Sequence, residues 1–383
     1  MSSSNGIKIL VCSSTFYPPK GGGVISLRTI CAGLAKKGYE IQTAYIGSEK
    51  DVSWKSHPQK VSLLMRGMWP RIWESERVWR RIVARLIDDE KPDVVITQQD
   101  IAAPTVMVCR DKSVPVIILL QGVDIFCLGS FWAGKPWKCS YKCVGCKDSG
   151  GRLWQYPFFR AKIGSLKEAF VNADAVVSNS AFTANTLEML WGVRSSIAFP
   201  IPKEPKLNGD LKLGDKILFF SPVAHKGVDI AVDLAEMMKD ESFIFAGGDA
   251  DRTMLRRIKN AGNIENLPWV SDTDSLYRQT KVLIMPSMIP EGFGRGLAEA
   301  MSRGIPCIVS DIGALPETLG SGGDVVKDYH DSKEWARVLA KYNDPEYLAE
   351  KSQAALKESK RFSCLWTIDH VAEVIEKLVR KDK

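Results

Sequence analysis

The sequence predicts an α/β protein made of two halves, each a parallel sheet covered by helices, and three observations carry that prediction. Residues 285–319, MPSMIPEGFGRGLAEAMSRGIPCIVSDIGALPETL, run from the end of an apolar strand through a glycine turn into a helix and on to a second buried strand. Residues 7–46 repeat the same order: IKILVCSS, a loop ending in GGG, an amphipathic helix, then EIQTAYI. At 383 residues the chain has room for two domains of common size, and the proline-rich stretch FPIPKEPKLNGD at 199–210 reads as the linker between them.

In the first half, IKILVCSS is a buried strand and VISLRTICAGLAKKGYE a helix that Gly38 ends. Residues 66–87, RGMWPRIWESERVWRRIVARLI, carry Trp69, Ile72, Trp73, Trp79, Ile82, Val83 and Leu86 at mostly helical spacing, with six arginines against two glutamates. A basic, tryptophan-bearing amphipathic helix either lies in an anionic membrane interface or packs on its own sheet with the arginines outward. DVVITQ and VPVIILL are the next strands, and Gln121, Gly122 and Asp124 follow the second of them. Asp124 is either an acceptor contact or a loop-capping aspartate. DAVVSNSAFTANTLEML closes the half as a strand and a helix.

Between them lies CLGSFWAGKPWKCSYKCVGC. Cys139, Cys143 and Cys146 stand at C-x₃-C-x₂-C spacing, with Cys127 twelve residues before the first. Four thiolates can hold a structural zinc tetrahedrally. An iron–sulfur cluster and a set of buried thiols are the alternatives.

In the second half, KILFFSPVAHKGVDIAVDLAEMM is strand, loop and helix, and FIFAGG is a strand that opens on glycines. DRTMLRRIKNAG is a helix and NIENLPWV a short strand and turn. Beyond Leu319 the chain is expected to be helical.

Composition narrows the class. Hydrophobic residues make up 45% and charged residues 25%, as in soluble globular proteins. No apolar run reaches the ~18 residues of a membrane span, and the N-terminus lacks the pattern of a signal peptide, so the expected location is cytoplasmic, at the inner face of the membrane if the arginine helix docks there. Nine cysteines, unevenly placed, argue against a secreted disulfide framework. Residues 1–200 hold 26 Lys and Arg against 16 Asp and Glu, whereas residues 201–383 hold 26 against 29. A basic first half suits an anionic partner. No nucleic-acid-binding motif is present, and nucleic acid is not an expected partner.

The chemistry concentrates in PEGFGRGLAEAMSRGIPCIVSDIGALPE. A glycine turn that feeds a helix offers backbone N–H groups to an anion. Glu291 and Glu299 flank that turn, and carboxylates accept hydrogen bonds from hydroxyls. A ligand with both phosphates and hydroxyls fits this pattern, and a nucleotide sugar is such a ligand.

The same stretch resembles the E-x₇-E segment of GT-B glycosyltransferases, in particular the retaining family four, glycosyl transferases group 1. The glycines between the glutamates, the EAM after the second, GIP and GALPE all agree with it. The resemblance implies two Rossmann-like domains facing across a cleft: residues 1–200 on the acceptor side, 201–360 binding the nucleotide sugar, and 361–383 a helix returning to the first domain. It implies that Glu299 binds the ribose hydroxyls, that Glu291 contacts the donor sugar, and that the backbone of Phe293, Gly294, Arg295 and Gly296 meets sugar and diphosphate. Lys226, before Gly227, takes the place of the lysine that contacts the diphosphate, while Gly22 and Gly23 face that diphosphate from the first domain. Trp269 or Val270 falls where the nucleobase packs. Two positions depart from the family pattern: Ser221 stands where most relatives carry an arginine, and Gln121 where they often carry a histidine.

The implied reaction is metal-independent transfer of a sugar from a UDP- or GDP-sugar to a glycan or lipid-linked glycan. Glu291, Lys226 and Asp124 are the candidate catalytic residues. Ser221 and Gln121 motivate an alternative, a donor-binding pseudoenzyme or assembly subunit. A GT-B sugar-nucleotide epimerase is the other.

Overall fold

A computed structural model describes residues 6–18, 21–51, 54–59, 69–98, 101–126, 156–203, 213–248, 250–270, 272–362 and 364–381, with side chains throughout except at the edges of some helices. The cysteine stretch, including Cys127, Cys139, Cys143 and Cys146, lies outside these residues, so the zinc expectation does too. The described residues fall into two compact units. One takes the chain up to Ile201 together with the terminal helix from Cys364, and the other takes the residues from Pro202 to the start of that helix.

The first unit contains β1 (Lys8–Ser13), α1 (Gly22–Lys36), β2 (Glu40–Ile46), β3 (Lys55–Gln59), α2 (Trp69–Glu90), β4 (Val94–Gln98) and α3 (Ala102–Asp111). It continues with β5 (Val116–Leu120), α4 (Tyr156–Asn172), β6 (Ala175–Ser178), α5 (Ala181–Trp191) and β7 (Ser196–Ile197). Its sheet runs β3-β2-β1-β4-β5-β6-β7, and every pairing is parallel. Parallel strands covered on both faces must be apolar on both sides, which is why β4 and β5 read as unbroken runs and are buried along their whole length. β3, KSHPQ, has no such run. It sits at the sheet edge, where Pro58 is tolerated, and its residues carry no apolar pattern.

The second unit contains β8 (Lys216–Phe220), α6 (Val228–Met237), β9 (Phe243–Ala246), α7 (Arg252–Ala261), β10 (Ile264–Leu267), α8 (Thr273–Tyr277) and β11 (Thr280–Met285). Then come α9 (Arg295–Met301), β12 (Cys307–Ser310), α10 (Leu315–Leu319), β13 (Gly323–Val326), α11 (Ser332–Ala340) and α12 (Pro345–Ser359). Its sheet is β10-β9-β8-β11-β12-β13, again wholly parallel. The expectation of helix alone beyond Leu319 needs correcting, because β13, four residues of GDVV, adds an edge strand beside β12.

The terminal helix, α13 (Cys364–Lys381), belongs to the first unit. Its Ile368, Val371 and Ile375 join Leu27, Ile30 and Leu34 of α1 in one buried cluster. Gly33 permits the approach: a Cβ there would stand 2.0 Å from Ile368 Cδ1.

In α2 the described apolar side chains turn inward. Trp79, Val83, Leu86 and Ile87 are buried, and the Trp79 indole N–H donates to Thr105 of α3 at 3.1 Å. Arg77, Arg81 and Arg85 stay exposed. Trp79 therefore spends its apolar surface on the core, as in the reading that packs this helix on its own sheet with the arginines outward. No described helix is long and apolar enough to cross a membrane.

Candidate functional site

In open α/β sheets, ligands bind outside the carboxyl ends of the strands where the strand order reverses. In the second unit that point lies between β8 and β11, and the loops after these two strands carry Lys226 and Glu291.

After β8 the chain turns through Ser221, which holds a left-handed φ of 58°, into a short 3-10 turn, Ala224–Lys226. Gly227 follows at φ 81° and starts α6. A Cβ at Gly227 would stand 1.9 Å from the Pro286 carbonyl oxygen, so the two loops touch at a point that only glycine allows. Met288 N–H donates to the His225 carbonyl at 3.0 Å and joins the loops a second time.

Across this junction Lys226 Nζ is ion-paired and hydrogen-bonded to Glu291 Oε1. The buried Ser287 hydroxyl donates to the same oxygen at 2.8 Å. Burial alone would raise the Glu291 carboxyl, but Lys226 first, then Ser287 and His225, outweigh it and hold the group below the usual carboxylate range. The neighbouring His225 is itself lowered by burial and then by Lys226.

A carboxylate whose folded pKa lies below its unfolded value adds stability above the unfolded value, about 4.3 for Glu, and loses it as the pH falls through the folded one. Ser287→Ala should therefore destabilise the protein at pH 7 by about 1.5–3 kcal/mol and shrink this acid-side dependence. Urea unfolding between pH 7 and pH 3 checks it; a variant curve that superposes on wild type would contradict the Ser287–Glu291 link.

The loop after Glu291 is held by the GALPE segment. Ala314 N–H donates to the Glu291 carbonyl at 2.9 Å, and the Thr318 hydroxyl to the Phe293 carbonyl at 2.6 Å. Phe293 points its ring into the core, edge-on to Phe362 at 5.1 Å. Gly294, at φ 84°, caps α9. One turn into α9, Glu299 is buried at 7% exposure and ion-paired to Arg295 at 2.8 Å. Arg295 is thus ion-paired to Glu299 as Lys226 is to Glu291. Trp269 is 74% exposed, and its ring lies 3.7 Å from where a Cβ on Gly247, after β9, would stand.

In the first unit the strand order reverses between β1 and β4. There Ser13 Oγ donates to Gln98 Oε1 at 2.7 Å, and Gln98 Nε2 donates to the Gly23 carbonyl at 3.3 Å. A Cβ on Gly23 would lie 3.6 Å from Gln121 Cβ, so Gly22 and Gly23, which open α1, stand beside Gln121 at the strand ends. Asp124 is exposed in the 3-10 turn Asp124–Phe126.

The predicted residues therefore gather in sets. Lys226 with Glu291, and Arg295 with Glu299, flank the glycine turn of the second unit; Gly22 and Gly23 sit with Gln121 in the first. The sequence reading missed Ser287, Tyr277 and Gln98. Ser287 ends the apolar run VLIMPS four residues before Glu291, a spacing that could have singled it out. Tyr277 and Gln98 reach their partners only through the fold.

Residues 214–358 match the family model described as Glycosyl transferases group 1. Over 112 residues the chain is 31% identical to O-antigen chain mannosyltransferase B of Escherichia coli, covering 29% of each chain. Over 234 residues it is 26% identical to the lipopolysaccharide core biosynthesis mannosyltransferase LpsB of Rhizobium meliloti, covering 54% of this chain and 66% of the relative. The chain thus spans about a quarter to two thirds of the length of the first curated relatives it matches. Among solved structures, HepE from Anabaena in complex with UDP superposes with a TM-score of 0.71 at 16% identity, covering 97% of this chain and 100% of that one. The fold is GT-B, two Rossmann-like units. The match to the glycosyl transferases group 1 model falls within the second unit.

Proposed function

We propose that the protein is a retaining glycosyltransferase that moves a sugar from a nucleotide-sugar donor to a hydroxyl of a glycan or lipid-linked glycan. The observation that carries this reading is the pairing of Lys226 with Glu291 and of Arg295 with Glu299 on either side of the turn at the β8–β11 switch point. Cations there suit a diphosphate, and carboxylates suit sugar and ribose hydroxyls. The mannosyltransferase relatives and the UDP-bound neighbour support a UDP- or GDP-sugar, with mannose the first sugar to test.

In the reaction, the bond from the anomeric carbon to the diphosphate oxygen breaks and its electron pair leaves with the diphosphate. The acceptor oxygen bonds to the anomeric carbon from the same face, and its proton passes to the departing diphosphate. Lys226 and the loop amides stabilise the charge that develops. Glu291 contacts the sugar, and Asp124 is assigned to the acceptor. Peripheral contact with an anionic membrane is assigned to the exposed Arg77, Arg81 and Arg85, through charge rather than tryptophan insertion.

Thermal unfolding in the presence of UDP, GDP, UDP-glucose and GDP-mannose tests the donor class. Ligand at a hundredfold excess over Kd stabilises the folded state by about 2.7 kcal/mol, so a cognate donor should raise Tm. No shift with any of the four would overturn the reading.

A further inference from the structure

We infer that Tyr277 is a positioning residue that aims Glu299 at the donor's ribose hydroxyls. The inference rests on the assignment of Glu299 to ribose.

Tyr277 ends α8 and is 3% exposed. Its hydroxyl lies 3.3 Å from Glu299 Oε2 and 3.4 Å from the Gly296 carbonyl oxygen. A phenol has one proton to give, so this hydroxyl serves either the carboxylate or the backbone of the glycine turn, and stands between the two parts of the site. Burial first, and then the Glu299 charge, push its pKa well above the usual tyrosine value, so it stays a donor at every working pH. At the other carboxylate oxygen, Arg295 Nη2 is ion-paired to Oε1 at 2.8 Å. The two oxygens of Glu299 are thus fixed from opposite partners. A carboxylate oxygen accepts two hydrogen bonds, so each retains a lone pair for one hydroxyl of a vicinal diol.

The ring of Tyr277 is itself locked. The Arg303 guanidinium lies 4.6 Å from its centroid, and Phe220 meets it edge-on at 5.8 Å. Arg303 is buried, ion-paired to Asp274 of α8, and donates to the Glu299 carbonyl at 2.7 Å. One buried arginine therefore ties the Asp274 side chain of α8 to the backbone of α9. A side chain held in this way loses little freedom when ligand binds, which is how a preorganised site gains affinity.

Tyr277→Phe removes the hydroxyl and keeps the ring against Arg303 and Phe220. Calorimetric titration with UDP and GDP, and with their 2′-deoxy counterparts, tests the inference. For whichever nucleoside diphosphate binds wild type, Tyr277→Phe should weaken binding about fivefold to tenfold. The loss should shrink with the 2′-deoxy nucleotide, which keeps only one hydroxyl of the diol, and Tyr277→Phe added to Glu299→Gln should cost no more than Glu299→Gln alone. Equal weakening of ribo and deoxy nucleotides, unchanged affinity, or failure to fold on loss of the hydroxyl alone would each overturn the positioning role. If wild type bound neither nucleoside diphosphate, or did not distinguish ribo from deoxy, the assignment of Glu299 would fall first and this inference with it.

Discussion

Lys226→Ala should reduce turnover by about a hundredfold or more while donor affinity falls less. The leaving diphosphate gains negative charge as the glycosidic bond breaks, so a fixed cation beside it stabilises the transition state more than the bound ground state. Removing one preorganised electrostatic group of this kind costs on the order of a hundredfold to a thousandfold. Three features keep neighbours from covering the loss. Ser221 holds the position where an arginine is usual in the family. Arg295 is already engaged by Glu299 at 2.8 Å. Burial, the larger of the two causes that lower the His225 pKa, persists in the variant.

The substitution also strips Glu291 of its cation and leaves a carboxylate held mainly by Ser287 at 2.8 Å. An unpaired carboxylate beside a diphosphate would weaken donor binding by repulsion, so Lys226→Ala paired with Glu291→Gln separates the two effects. The pair should recover affinity and should not recover turnover. Lys226→Arg should restore only part of the rate, since a planar guanidinium does not replace a compact ammonium. Saturating turnover and donor affinity for the three variants are the measurements. Near-normal turnover in Lys226→Ala would place the diphosphate elsewhere.

Glu299→Gln should weaken donor binding about tenfold or more, because hydrogen bonds to a charged group contribute roughly 1.5–3 kcal/mol. The amide keeps the shape of the side chain. It turns one acceptor oxygen into a donor, however, and it removes the charge that Arg295 neutralises. Arg295, freed from its partner, would then be available to the diphosphate, so part of the loss should return as electrostatic attraction at low salt. Titration at two ionic strengths checks both statements. Unchanged affinity in the folded variant would remove the ribose role from Glu299.

Much of the second unit was legible in the sequence. The glycine turn, α9 and β12 follow from Gly292, Gly294 and Gly304 set between apolar runs, and their long motif carried the family. What stayed hidden was of two physical kinds. Short edge strands give little hydrophobic signal: β3 contains Pro58 and polar residues, and β13 is four residues long. Partners distant in sequence give no local signal at all. Tyr277 meets Glu299 from 22 residues away, and Gln98 meets Gly23 from 75 away. The tryptophans of α2 were ambiguous for a related reason. One apolar helix face reads the same whether it is buried by a membrane or by a sheet, and Trp79 is buried by the core.

The most direct test of the central claim is amide hydrogen exchange with and without saturating UDP or GDP. The account predicts slowed exchange in residues 221–227 and 291–299, the two loops at the β8–β11 switch point, together with the segment around Trp269. Protection confined to other segments, with exchange unchanged in both loops, would contradict it.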